Sequence, residues 1–253
     1  MILLLAGLVV YARYVEPNWL QVTNTKIGNS QGQKALVVVQ ISDLHLQEVA
    51  KLERSVIQRV REIQPDLLVL SGDVINRPES FSKLDEFLAG IVATHKVAVL
   101  GNWEYWSDID LVRLRKIYRS NNVDLLVNET ANYMVKGRSL VVHGLDDYTA
   151  GNPRIRFNKS RANETSILVQ HSPGLFEENL DQLAKVTLCL SGHTHGGQIT
   201  AFGWPIWTPR GSGKFASGLY QTTTCPLYVS KGIGTSMLNL RFGARPEIAV
   251  FTI

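Results

Sequence analysis

Seven side chains in this sequence have the types and spacing for metal chemistry. Asp43 and His45 stand two apart in ISDLH, Asp73 ends LLVLSGD, Asn102 lies in LGNWE, His171 in VQHSP, and His193 and His195 stand two apart in SGHTH. Singly, each has an ordinary explanation: Asp after an apolar run caps a helix, Asn after Gly forms a turn, and a lone His is a satisfied core or surface residue. Together, in this order and each behind an apolar run, they form a nitrogen and oxygen donor set without thiolate. Seven such ligands are too many for one transition metal and about right for two. A pair of divalent cations roughly 3.5–4 Å apart needs a bridging carboxylate, imidazoles, and open positions for water and a substrate oxygen. The donor types favour Mn, Fe, Zn or Co over Ca and argue against a structural zinc cage.

The elements that must position these groups follow a repeated phrase. ALVVVQISDLH, DLLVLSGD, VAVLGNWE, SLVVHGLDD, SILVQHSP and VTLCLSGHTH each join a short β-branched apolar run to a polar cluster, and PLYVSKGIG repeats the run without the cluster. Such runs predict strands buried on both faces, with their polar tails emerging at one end of a sheet, where open α/β sheets bind ligands. The glycines before Asp73, Asn102 and His193 are expected to permit tight turns. Leu52, Val56, Val60 and Ile63 form one apolar stripe and predict a helix over 51–63; similar patterns cover 82–93, 109–120 and 175–184, the last after Ser172 and Pro173. Alternating strands and helices predict an α/β fold. Residues 198–225 have no clear period and suggest a long loop or short hairpins, and EIAVFTI a closing strand.

Composition sets the outer bounds. The 253 residues are 45% hydrophobic and 19% charged, which argues against disorder and against a multi-span membrane protein. A net charge of +4 is far from the dense basic stripe of a nucleic-acid binder, so no nucleic-acid partner is expected. Two cysteines, Cys189 and Cys225, cannot make a disulfide scaffold for this length, and Cys189 is expected as a small buried core residue. MILLLAGLVVYA at 1–12 is unbroken by polar residues and too short to span a bilayer unaided. An anchor, a signal-peptide remnant and a core helix are the alternatives, and the anchor is expected because helical-spaced polar positions are missing. Residues 1–34 are then an anchor and lead-in, and 35–253 one catalytic domain, associated with a membrane and acting as a monomer.

The series DLH, GD, GN, H and GHTH resembles the five-block signature of the calcineurin-like metallophosphoesterases, from residue 36 to the end of the chain. GHTHGGQ at 192–198 and the terminal YVSKGIGTSMLNLRFGARPEI are similar to a membrane-associated bacterial phosphodiesterase branch, which includes enzymes resembling UDP-2,3-diacylglucosamine pyrophosphatases. The resemblance implies a four-layer α/β sandwich of two mixed sheets flanked by helices. It implies one metal on Asp43, His45, Asp73 and His195 and a second on Asp73, Asn102, His171 and His193, with manganese expected first. The implied reaction is hydrolysis of a phosphodiester or pyrophosphate, in a lipid-linked or sugar-nucleotide substrate, by a metal-bridging hydroxide. Asn102 and His193 would also stabilise the phosphoryl group.

One position departs from the family pattern. Where the family reads GNH, this chain has Gly101, Asn102 and Trp103, and indole cannot act as the acid that histidine supplies. The alternatives are a hydrolase whose leaving group needs little protonation and a weakened or non-catalytic metal-binding protein that recognises a phosphorylated partner. Gln198, Arg241 and Arg245 are candidate phosphate contacts, with structural ion pairing the alternative for the arginines. Asp146 and Asp147 could orient a ligand or cap a strand, and His143 is expected near the site in a non-ligand role. RIRFNKSR at 154–161 could receive anionic groups or be a solvated loop, while Trp204, Trp207, Phe215 and Tyr220 could line an apolar path or pack their own loop.

Overall fold

The computed structural model describes residues 2–28, 34–155, 164–178, 186–222 and 225–253. In chain order its strands are β1 (Gln21–Lys26), β2 (Val37–Ile41), β3 (Leu67–Ser71), β4 (His95–Val99), β5 (Asp124–Leu125), β6 (Glu129–Val135), β7 (Arg138–Gly144), β8 (Glu164–Val169), β9 (Leu188–Ser191), β10 (Thr200–Ala201), β11 (Trp204–Pro205), β12 (Gly218–Gln221), β13 (Pro226–Val229) and β14 (Glu247–Thr252). Its α-helices are α1 (Ile2–Val10), α2 (Lys51–Ile63), α3 (Phe81–Gly90), α4 (Asn102–Trp106) and α5 (Leu111–Ser120).

Twelve strands form two six-stranded mixed sheets, and β10 and β11 make a separate hairpin. The first sheet runs β1-β14-β2-β3-β4-β5, with β2 to β5 parallel and β14 antiparallel to β2. The second runs β12-β13-β9-β8-β7-β6, parallel from β13 to β7 with antiparallel strands at both edges. Gln21–Lys26, inside the expected lead-in, is the edge strand of the first sheet and pairs in parallel with β14.

The continuous apolar runs are explained by the layers they separate. Val38, Val69 and Val97 of the first sheet meet Leu140, Ile167 and Leu190 of the second in one buried cluster. On the other face of the first sheet, Val39, Leu68 and Ala98 pack against Val56 and Val60 of α2, Leu84 and Leu88 of α3, and Leu114 of α5. Each β-branched or leucine side chain sealed there contributes roughly 1.5–3 kcal/mol of burial. The outer face of the second sheet is covered by Leu175 and Phe176, from a 3-10 turn over Pro173–Glu177, and by Phe215. Two mixed sheets with flanking helices are the expected architecture. Helix 51–63 falls as expected, and α3 and α5 lie within a residue or three of their predicted bounds. Of the stretch 175–184, the start is 3-10 rather than α, and 179–184 lie outside the described residues, as do 156–161 of the basic segment.

Two expectations are corrected. Helix α1 has nine residues, about 14 Å of rise against the roughly 30 Å of a bilayer core, and among the described residues no helix is long and apolar enough to cross a membrane. Beyond it the chain tightens into a π-helical turn at Tyr11–Val15 and a 3-10 turn at Glu16–Asn18, and joins the body. The Ala12 carbonyl accepts from the Arg241 amide, the Glu16 carboxylate accepts from the Ala244 amide, and Tyr11 meets Phe242 edge-on. Apolar character in the run thus gave no licence for a spanning anchor, and the membrane location inferred from it falls. The second correction concerns the cysteines: Cys189 is buried as expected, but it is bonded to Cys225.

That bond closes a sequence separation of 36 residues. Loop-closure entropy then predicts that Cys225→Ser lowers stability by roughly 3–4 kcal/mol, read from the urea midpoint under non-reducing conditions. A midpoint equal to that of the parent chain would show that the two thiols are not joined.

Candidate metal centre

The seven candidate ligands converge where strands of both sheets end. Asp43 and His45 follow β2, Asp73 follows β3 and Asn102 opens α4 after β4; His171 follows β8, and His193 and His195 follow β9. All seven are buried. They form two clusters, Asp43 with His45 and His195, and Asp73 with His171 and His193, each with its ligand atoms within 4.8 Å of one another. Asp73 stands between them, its Oδ2 at 3.1 Å from His171 Nε2 and 3.8 Å from His45 Nε2. Asp43 Oδ1 lies 3.4 Å from His195 Nε2. Asn102 joins the second cluster, its Oδ1 2.7 Å from His193 Nδ1.

The ring nitrogens indicate what this set is built to hold. His171 donates Nδ1–H to the Ser71 carbonyl at 2.7 Å, which leaves Nε2 facing the carboxylates, 3.1 Å from Asp73 Oδ2. His193 uses Nε2–H on the Arg210 carbonyl at 2.8 Å, which leaves a lone pair on Nδ1 facing the oxygen of Asn102. His45 and His195 face each other Nε2 to Nε2 at 3.1 Å. Lone pairs turned toward one another in a buried space suit cations between them, and carbonyls bonded to the far ring nitrogens fix the tautomers as in metal-bound histidines. The residues present therefore fit two divalent ions.

Charge points the same way. Burial alone would raise Asp73, but the imidazoles of His171 and His45 and the Trp103 amide, which donates to Oδ1 at 2.8 Å, hold its carboxyl below the usual range. Burial opposes a charged His171, yet Asp73 and Asp43 outweigh it and raise the ring well above its ordinary value. His45, His193 and His195 are lowered, chiefly by burial, and stay neutral.

The backbone is bent to make these contacts. Asp43, His45, Asp73, His193 and His195 all have positive φ, the left-handed region that side chains rarely adopt. The predicted role of the glycines changes accordingly. Gly72 does take φ +95°, but at Gly101 and Gly192 the need is space: a Cβ at Gly101 would strike Asp73 and one at Gly192 would strike Ser42 and Asp43.

Glu104 is the residue that the sequence reading missed. Its carboxylate, buried behind Asn102, accepts from the amides of Asp73, Val74, Ile75 and Gly101 at 2.7–3.3 Å, and so clamps the β3 loop to the β4 loop. Burial and the neighbouring Asp73 push it up to about 7. The available signal was a Glu three residues after Gly101, the spacing of a helix-entry box.

The remaining candidates are placed as follows. Gln198 lines the cavity above the metal cluster, but its amide donates to the Leu238 carbonyl and accepts from the Ser236 amide. Arg241 is fully buried, donating to the carbonyls of Gly234, Lys231 and Ala244 and facing His195 Nδ1 at 3.3 Å. Arg245 stacks on Trp19 and donates to the Trp19 and Leu20 carbonyls. Asp147 caps the turn at Thr149 and Ala150 and accepts from Ser172, next to His171; Asp146 binds the Tyr105 hydroxyl of α4. His143 bonds Thr130 across β6 and β7. Of the four aromatic candidates, Trp207 lines the cavity, while Phe215 and Tyr220 pack edge-on over the second sheet.

Two outcomes test this centre. Glu104→Gln turns an amide N–H₂ against backbone N–H groups, and should cost about 1–3 kcal/mol and weaken binding of both metals; unchanged midpoint and stoichiometry would refute the clamp. Binding of Mn at neutral pH must expel the His171 proton. An indicator-dye titration should record release of about one proton per chain, with affinity rising with pH roughly tenfold per unit below the raised His171 value. No release would show that His171 is neutral before metal binds.

Comparison with known proteins agrees with this geometry. Residues 36–197 match the model of the calcineurin-like phosphoesterase domain. The chain is 33% identical to an uncharacterized metallophosphoesterase of Bacillus subtilis, YkuE, over 96% of this chain and 88% of that protein. It is 25% identical to the phosphodiesterase YaeI of Escherichia coli, over 96% and 92%. In fold it is similar to the NAD nucleotidase of Haemophilus influenzae, with a TM-score of 0.50 at 15% identity, over 79% of this chain and 45% of that one. With the domain model matching the ligand-bearing strands and a relative of this identity spanning nearly the whole chain, the protein belongs to the calcineurin-like phosphoesterases, a family of metal-dependent phosphoric ester hydrolases.

Proposed function

We propose that the chain hydrolyses a phosphodiester or pyrophosphate bond of a small phosphorylated molecule, of lipid-linked or sugar-nucleotide type, using two divalent cations with manganese foremost. The observation that carries this reading is the paired cluster: Asp43, His45 and His195 beside Asp73, His171 and His193, with Asn102 completing the second set. When bound there, two cations would supply a water of lowered pKa and neutralise charge on the phosphoryl oxygens. The protein's own residues set the geometry. The carbonyls of Ser71 and Arg210 hold the His171 and His193 rings, Glu104 fixes the Asp73 loop, and Asn102 is turned toward His193 at the cavity floor.

Trp103 decides the preferred leaving group. Its amide holds Asp73, and its indole stands edge-on to His45 at 5.8 Å, where it can exclude water but donate no acidic proton. A diester or pyrophosphate with a good leaving group needs that proton least. The same observation favours the second reading, a non-catalytic binder of a phosphorylated partner. Among the described residues, Arg210 is the one Lys or Arg lining the cavity, too little positive charge to follow a nucleic-acid backbone.

The test is turnover of a diester, a monoester and a sugar-nucleotide pyrophosphate by the Mn-loaded chain and its Trp103→His variant. The parent should prefer the diester and pyrophosphate, and the variant should gain on the order of 100-fold on esters with poor leaving groups. No metal-dependent turnover by either chain would favour the binder. Indifference to the substitution would remove Trp103 from the account.

A further inference from the structure

The metal cluster opens into a cavity of about 530 Å³ whose floor and walls differ in chemistry. The floor is Asp73, Asn102, His193 and His195. The apolar part of the walls is Trp103 and Trp106 of α4, Ile206 and Trp207 after the β10–β11 hairpin, and Met237 and Leu238 from the segment before β14, with Arg210 and Ser236 among the polar lining. Several of these side chains are left in water at a cost: Trp106 is 60% exposed, Trp207 61% and Met237 84%. Scattered exposed apolar residues need no explanation, but a contiguous apolar wall around a polar floor is a ligand site.

The wall is held in place by the backbone. Gln198, itself at positive φ, donates to the Leu238 carbonyl at 2.6 Å and accepts from the Ser236 amide at 3.0 Å, which binds the 236–238 segment to the loop after His195. Ile206 donates to the Ile199 carbonyl at 3.1 Å and brings the second wall to the same loop. The aromatic residues that do pack their own sheet, Phe215 and Tyr220, show what Trp207 and Met237 would do if covering the core were their purpose.

We infer that this wall is a substrate subsite for an apolar arm, a flexible alkyl chain carried on the phosphoester held over the floor. Alkyl rather than planar chemistry fits a lining that combines indole faces with the unbranched thioether of Met237 and the side chains of Ile206 and Leu238, which conform to a chain of variable shape. Gln198 is then a positioning residue that holds the wall, in place of a contact to phosphate. The inference rests on the hydrolytic reading above and narrows its two substrate types, lipid-linked and sugar-nucleotide, to the one that carries an alkyl chain.

The experiment uses the Mn-loaded full chain and 4-nitrophenyl alkyl phosphates from methyl to octyl, below the concentration at which they aggregate. Each methylene that enters the wall should raise kcat/KM roughly three- to fourfold, mostly through KM, until the cavity is filled. Methyl and octyl esters turned over alike would overturn the subsite while leaving the hydrolase intact. If neither these esters nor the sugar-nucleotide pyrophosphate is turned over, the hydrolytic reading fails instead, and calorimetry of octylphosphonate against methylphosphonate decides the subsite: tighter octyl binding supports it and equal affinity overturns it. The double variant Met237→Asn, Leu238→Asn, with an unchanged urea midpoint, should cut the octyl advantage to within about threefold in either assay. An undiminished advantage would place the arm elsewhere and overturn the assignment of these residues.

Discussion

Two carboxylates, Asp43 and Asp73, are buried among four imidazoles, and among the described residues neither forms an ion pair with Lys or Arg. Isolated charge in such a place is prohibitively costly, and in practice buried carboxylates are paired or coordinate metals. The buried guanidinium of Arg241 nearby is turned to backbone carbonyls and to His195. Much of the surrounding architecture serves this unresolved charge. Left-handed residues at five of the seven ligand positions, the glycines that let Asp73 and Asp43 approach, and the four amides gathered by Glu104 all keep the donors facing inward.

The sheets explain why the donors meet at all. Four ligands come from the first sheet and three from the second, so the centre sits across the seam between them. Within the largely apolar seam, Gln40 of β2 donates both to Ser71 of β3 and to the Ser191 carbonyl of β9. That buried amide bonds one sheet to the other directly beneath the ligand loops. Sliding of one sheet on the other would therefore break the bond to Ser191 before it separated the two halves of the centre.

Much of this was legible in the sequence because strands buried on both faces leave continuous β-branched runs, and a change to polar residues marks where each one ends. The ligands could be named from those endings. Glu104 could not, since its partners are backbone amides that any sequence would supply. The role of Arg241 was hidden for a related reason: guanidinium is suited both to phosphate and to carbonyl oxygens, and only burial separates the two. The amino-terminal run, already too short to span a bilayer, misled because hydrophobicity reports what avoids water and does not say that a membrane receives it. Its downstream turns are set by bonds from Ala12 and Glu16 to residues more than 200 positions later.

The bond between Cys189 and Cys225 has a meaning beyond stability. In the β9–β13 ladder Cys189 stands opposite Leu227, two residues after Cys225. A shift by one residue exchanges the two faces of a strand. Four residues beyond Cys189 lies His193, whose direction depends on that phase. The covalent link fixes the alignment of β9 against its neighbour, so the strand that delivers two of the metal ligands cannot be threaded one step out of place.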